Sequence, residues 1–252
     1  MNWRYFVGKY LDEATQGMCR LGMPGTRYIR GRYWAFDIKK LYSHGAIPVQ
    51  RIVDAGANIG QTALYVNRWF RGADVYCFEP VKESYLALIE NTKQHSNIHA
   101  INSALSSARG HRDIRLYANS ELATFHLNET DLSVGLKSVG TEKVTCDTLD
   151  DCFPDGYPID ILKMDVQGHE IEVLEGARDH LEDGRIHFII GEAGFRSENR
   201  DCNFFPTFHN YVYSRGFLLC GFYDQYRHWE EKLLISFCNA LYVNTSFYIK
   251  KV

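Results

Sequence analysis

Four side chains able to accept a proton or help bind a cation lie close together in the second half of the chain: Asp165, His169, Glu170 and Glu192. Asp165 follows the apolar run of residues 159–164, and Glu192 follows that of 185–191. If those runs are parallel strands, both acids reach the same edge of a sheet. A histidine has an unperturbed pKa of about 6.5, so His169 can act as a base at neutral pH, or it can simply be solvated at a helix start. Glu170 falls in the first turn of the same helix, where the macrodipole favours an acid regardless of chemistry. Any of the four can serve as general base toward a hydroxyl. The three carboxylates can alternatively hold Mg²⁺, with waters completing its shell. Spacing alone assigns no metal ligand, so a metal-free base is the preferred expectation. Lys163 is expected to alternate away from the cleft side of Asp165. Arg196, Arg200, His209 and His228 are further polar groups that could meet a polyol.

A second constellation lies upstream. Val53-Asp54-Ala55-Gly56-Ala57-Asn58-Ile59-Gly60 reads as a strand end, a glycine turn and a helix start. Ligands of open parallel sheets bind at that edge. Glycine tolerates the backbone angles and close approaches such a turn needs, and Asn58 is among the residues that best adopt left-handed angles. Glu79, 19 residues after Gly60, ends a second strand, where a carboxylate can accept hydrogen bonds from two ribose hydroxyls. That suits an adenosine ligand, whether a nicotinamide dinucleotide or S-adenosylmethionine. Asp54 separates the two: it suits a cationic amino-acid tail and would repel a pyrophosphate.

These residues need elements to position them. Strands are expected at 51–55, 74–78, 97–102, 159–164 and 185–191, with helices at 61–70 and 169–181 and a helix carrying Val81, Tyr85, Leu88 and Ile89 on one face. In the 169–181 helix, Ile171, Leu174 and Leu181 are expected inward. A helix over 205–215 stops at Gly216, and 217–222 with 240–243 supply two last strands, an antiparallel pair at one edge. Residues 106–147 break the rhythm and read as an inserted hairpin or loop. The result is an α/β fold whose mostly parallel seven-stranded sheet carries helices on both faces. The expected domain covers 51–252. Residues 1–50, rich in Trp3, Tyr5, Phe6, Tyr10, Tyr28, Tyr33, Trp34 and Phe36, form an N-terminal extension that caps the sheet, acts as a lid or serves as the arm of a homodimer.

Composition narrows the classes. The 252 residues are 45% hydrophobic and 23% charged, which supports a packed core and not disorder. A net charge of −3 argues against nucleic acid as partner. No run approaches the roughly 18 apolar residues of a membrane span, and the first residues lack the apolar core of a signal peptide. None of the seven cysteines forms a Cys-x-x-Cys pair, so zinc ribbons and dithiol redox chemistry are not expected, and reduced buried thiols fit a cytoplasmic protein.

Several ordered motifs together resemble the FkbM-type methyltransferases. They are the 53–60 turn, Phe78-Glu79-Pro80, Asn102-Ser103-Ala104-Leu105, Thr148-Leu149-Asp150, residues 161–170 (Ile-Leu-Lys-Met-Asp-Val-Gln-Gly-His-Glu) and 173–177 (Val-Leu-Glu-Gly-Ala). The similarity spans roughly residues 52–194, and 239–243 looks like the family's last strand. It implies a class I methyltransferase (Rossmann-like) fold and S-adenosyl-L-methionine as cofactor. It also implies O-methylation of a sugar, glycan or secondary-metabolite hydroxyl, with a small molecule or glycan as acceptor. Ser103 and Ala104 would join Asp54, Gly56, Ala57, Asn58, Gly60 and Glu79 around the cofactor. The family often has glutamate where this chain has Gln167, so a mechanism needing that carboxylate would not carry over. Alternatives are an N-methyltransferase on an amine or peptide, a nicotinamide-dependent oxidoreductase, and a non-catalytic adenosine-binding module. The chain has neither an Asn/Asp-Pro-Pro-aromatic tetrad nor a Pro-Cys pair, which disfavours amino- and cytosine-C5-methylating enzymes of DNA.

Overall fold

A strand buried on both faces reads as an unbroken apolar run, and β7 (Ile159–Met164) is buried at every residue. Its neighbours in the sheet are β1 (Arg51–Ala55) and β8 (Ile186–Gly194), both parallel to it. Beyond β1 lie β2 (Asp74–Phe78) and β3 (Ile98–Ile101), also parallel. The computed structural model describes residues 33–45, 48–117, 123, 125, 138–197, 202–227 and 234–249. Among these the main sheet runs β10-β11-β8-β7-β1-β2-β3, with the short β9 (Asn203–Phe204) pairing β8 beside this path. β10 (Phe217–Arg227) and β11 (Ile235–Asn244) form the antiparallel edge, β11 lying antiparallel to both β8 and β10. Both are longer than the sequence pattern indicates.

The chain turns outward from β1 in both directions, so β1 and β7 flank the topological switch point, where open α/β sheets form their ligand crevice. Two cores cover the sheet. One face packs Ile52, Val75, Ile161, Phe188 and Ile190 against α1 (Trp34–Gly45) and α2 (Gln61–Trp69). Trp34, Ala35 and Ile38 of α1 are buried there, and the Tyr223 hydroxyl on β10 donates to Asp37 at 2.8 Å. Trp34, Ala35 and Ile38 of the expected N-terminal extension therefore belong to this core, whereas residues 1–32, with Trp3 through Tyr28, lie outside the described residues. The other face packs Val53, Leu162, Met164, Ile189 and Tyr242 against α5 (Glu170–Glu175), α6 (Arg178–Glu182) and α7 (Phe205–Tyr213).

The expected insertion is a second sheet: β5 (Gly110–Tyr117) pairs antiparallel with β6 (Ser138–Asp147), which pairs with β4 (Ala104–Leu105). Thr148 caps the short α4 (Leu149–Cys152) by accepting from the Asp151 N–H.

Three local expectations are corrected. On α3 (Lys82–Thr92) the buried positions are Ser84, Leu88 and Thr92, while Ile89 is exposed and Tyr85 half-buried. The true stripe follows i, i+4 spacing and is partly polar, with the Thr92 hydroxyl donating to the Leu88 carbonyl. The single helix expected over 169–181 is two, α5 and α6, and its buried positions include Val173 and His180 while Ile171 is half-buried. At the break, a Cβ on Gly176 would sit 2.0 Å from the Ser106 carbonyl oxygen, so the backbone after β4 presses on the junction and forbids a side chain there. Finally, Cys220 is exposed on the edge strand β10, unlike the buried Cys77, Cys146, Cys202 and Cys238.

Gly176 has an ordinary helical φ, so Gly176→Ala acts only through this contact. It should destabilise the protein by about 1–3 kcal/mol, as overpacking does. Urea unfolding measures this, and an unchanged midpoint would show that the contact is absent.

Candidate active site

Glycine at 56 is required by the protein's own backbone. Its φ is 79°, and a Cβ there would fall 2.0 Å from the Asp165 carbonyl oxygen. The ends of β1 and β7 are thereby drawn together, and the Asp165 N–H donates to the Ala55 carbonyl at 3.0 Å. Gly60 (φ 93°) similarly admits Leu88 and Thr92 of α3. Between them, Gly56 and Ala57 donate their N–H groups to the Phe78 carbonyl, which docks the turn on β2. Asn58 holds a left-handed φ of 46° and donates its N–H to Glu79 Oε2 at 2.8 Å.

Glu79 is nearly buried, and its Oε1 accepts from the Val81 N–H at 2.9 Å. Burial pushes its carboxyl up to about 7 against the pull of those two N–H donors. Each oxygen keeps further acceptor capacity for a ligand hydroxyl. Asp54 is 1% exposed, and neither of its carboxylate oxygens has a hydrogen-bond partner; the same is true of Asn58 Oδ1. Burial raises Asp54 to about 6, with Lys163 opposing the rise and Asp165 adding to it. Buried polar atoms are normally bonded, so three orphaned acceptors at one turn mark a place for donors from a ligand. An adenosine bearing a cationic amino-acid tail fits that donor demand, with Glu79 taking the ribose hydroxyls and Asp54 the ammonium.

The cleft beside this turn has about 540 Å³ of empty space including its open mouth. The sheet edge contributes Gly56, Asn58, Glu79, Asp165 and Gln167, and the insertion contributes Leu105, Ile114, Ala123 and Phe125. Local sequence pattern did not indicate this lid. Ile114 packs with Val144 and Val81, which joins the second sheet to the start of α3 and sets the apolar wall over the cleft.

Lys163 requires the largest correction. It does not alternate away from Asp165; residues two apart on a strand share a face, and its Nζ lies 3.3 Å from Asp165 Oδ2. Asp54 is its register partner on β1. Lys163 is 3% exposed, and burial alone would favour its neutral form. The carboxylates of Asp165, Asp54 and Glu192 outweigh that effect and raise its pKa above the ordinary lysine value. Acids from three adjacent strands thus face one ammonium.

The other expected groups are dispersed. Asp165 lines the cleft with its side chain 42% exposed. Glu192 is half-buried on β8 beside Lys163. Glu170 is wholly buried; it accepts from the Val166 N–H (3.2 Å) and Asn203 Nδ2 (2.6 Å), and burial raises it to about 7. His169 is buried behind Phe125, with Nε2 3.1 Å from Ser106 Oγ and 3.2 Å from Arg112 Nη1. It does not line the cleft. Ala104 lines the cleft, whereas Ser103 is buried and donates to Asp147 Oδ2 at 2.7 Å, tying β6 to the sheet. His209 stacks on Phe205 and Tyr213 of α7, and Arg200 and His228 lie outside the described residues. Among the described residues, no group of three or more histidine, cysteine or acidic side chains is arranged to hold a metal ion, and no helix is long and apolar enough to cross a membrane.

Comparison with known proteins identifies the family. The model of the methyltransferase FkbM domain matches residues 54–219. This chain belongs to the FkbM methyltransferase family. The methyltransferase sdnD of Sordaria araneosa is 33% identical over 160 residues, 52% of this chain and 62% of sdnD, so the match stops short of two thirds of that relative. The hexuronic acid methyltransferase AglP of Haloferax volcanii is 30% identical over 190 residues, 74% of this chain and 70% of AglP. Among solved structures, the METTL16 MTase domain is similar with a TM-score of 0.50 at 12% identity, covering 85% of this chain and 66% of that one. That likeness is one of fold. It agrees with a class I methyltransferase fold.

The raised carboxyls make cofactor binding pH-dependent. If a ribose hydroxyl pair donates to ionised Glu79 and an ammonium meets Asp54, affinity for S-adenosylhomocysteine should fall as pH drops through about 7, with a further loss near 6 as Asp54 takes up a proton. Glu79→Gln should weaken binding about tenfold or more and remove the upper step, because hydrogen bonds to a charged group contribute roughly 1.5–3 kcal/mol. Calorimetry between pH 5.5 and 8 measures both effects; an affinity flat across that range in the wild type would refute the assignment.

Proposed function

We propose that this FkbM domain transfers the methyl group of S-adenosylmethionine to a hydroxyl of a sugar-like or related polyhydroxylated acceptor, with Asp165 accepting the hydroxyl proton. The observation that carries this reading is the position of Asp165. It opens into the cleft that Glu79 and Asn58 line, and it is exposed where Glu170 is buried and its oxygens are occupied by protein donors. The bound cofactor supplies a methyl carbon on a positively charged sulfur, open to in-line displacement. Glu79 and Asp54 hold its two ends, and Leu105, Ile114 and Phe125 keep water from one side of the cleft. With that group bound, an acceptor hydroxyl in the cleft would take up the methyl and give its proton to an Asp165 oxygen, S-adenosylhomocysteine being the leaving group. Much of the rate comes from alignment along that line; proton removal adds a further factor of about 10²–10⁴. The hexuronic acid in AglP's name supports a sugar-type acceptor here.

The test incubates the protein with S-adenosylmethionine and paired acceptors, glucose and glucuronic acid beside glucosamine, and locates any added methyl group by mass spectrometry. Methyl on oxygen is expected, and Asp165→Asn should lower its rate about 10²–10⁴-fold while S-adenosylhomocysteine affinity stays within a few-fold. Methyl on nitrogen, or full turnover in Asp165→Asn, would contradict the proposal.

A further inference from the structure

Asp165 is held in a way the proton-transfer reading does not require, and this suggests roles for two more residues. We propose that Lys163 and Gln167 are positioning residues for the transfer step, gripping the Asp165 carboxylate by its two oxygens so that it stays turned into the cleft as the proton acceptor. This rests on the reading of Asp165 given above.

Lys163 Nζ lies 3.3 Å from Asp165 Oδ2, and Gln167 Nε2 donates to Oδ1 at 3.2 Å. The two grips have different origins. Lys163 is rigid, because β7 is buried along its length and its ammonium also donates to the Met164 carbonyl at 3.4 Å. Gln167 reaches back through a turn in which it and Gly168 both adopt left-handed angles, φ 52° and 86°. A residue with a Cβ is strained in that region, and strain of this kind gathers at functional sites. The fold here sets an amide two residues beyond the carboxylate and folds it back onto it.

The amide matters because of the surrounding charges. Asp165 interacts with the charges of Asp54 on β1 and Glu170 on α5, against the ammonium of Lys163, which also feels Glu192 of β8. A glutamate at 167 would add another carboxylate about 3 Å from Asp165, and two such groups share a proton instead of both ionising. A neutral amide instead donates a hydrogen bond and leaves the carboxylate free to accept.

The test follows the Asp165 carboxyl by ¹³C NMR titration, assigned by its loss in Asp165→Asn, in the wild type, Gln167→Glu and Lys163→Met. In the same variants, kcat/KM is measured against pH with whichever of glucose or glucuronic acid is methylated. Gln167→Glu lies at the turn, outside the sheet, and should raise the Asp165 titration by about one pH unit or more and move the acidic limb of kcat/KM with it. It should lower kcat about tenfold or more at neutral pH with KM changed less than threefold. Lys163→Met should shift both in the same direction; if it fails to fold, Gln167→Glu decides alone. Titration and pH profile like the wild type in Gln167→Glu would overturn the inference, even where Asp165→Asn abolishes transfer. Full turnover in Asp165→Asn would instead remove the proton-acceptor reading on which it rests.

Discussion

One ammonium group inside a parallel sheet organises the reactive edge of this protein. Taking an ion out of water costs several kcal/mol even after relaxation, and Lys163 is 3% exposed. Asp54, Asp165 and Glu192, drawn from β1, β7 and β8, offset that cost. The buried Asp54 in turn is favoured in its charged form by the ammonium. This mutual dependence makes the register of β1 against β7 critical: slipping Asp54 from Lys163 by one residue would turn a buried carboxylate to the opposite, apolar face. The close approach at Gly56, where the Asp165 carbonyl fills the space of a side chain, locks the same register from the backbone.

The insertion completes what the sheet edge begins. Parallel strands ending in acids give an open rim, and charge at an open rim is screened by water. The β4-β5-β6 sheet covers part of that rim with Leu105, Ile114 and Phe125. Phe125 is backed by His169 and by the Arg112 guanidinium 5.0 Å from its ring centre. His169, which its sequence position offers equally as a base, thus supports the lid over the cleft that Glu79 lines. The same burial raises both carboxyls and leaves acceptors in need of donors.

Much of this was legible in residue order. Strands at 51–55, 74–78 and 159–164 appear as read, because strands buried on both faces leave continuous apolar runs. Asp54, the glycine turn and Glu79 meet as their spacing indicates, since one βαβ unit fixes all three. What failed was non-local or contrary to habit. Lys163, expected to alternate away from the cleft side of Asp165, instead shares its face, as period-two geometry requires. The break at Gly176 depends on a carbonyl 70 residues earlier in the chain. The lid residues reach the cleft through a hairpin whose own pattern says only that it is a hairpin. Gln167 was read as a departure from a family pattern; its φ of 52° and its bond to Asp165 give the departure a physical meaning.

The buried Asp54 carboxylate is expected to favour an adenosine with a cationic tail over one with a pyrophosphate. Calorimetric titration of the wild-type protein at pH 7.5 with S-adenosylhomocysteine and, separately, with NADH tests it most directly. The account predicts saturable one-to-one binding of S-adenosylhomocysteine and no measurable heat with NADH. Binding of NADH without S-adenosylhomocysteine would contradict it.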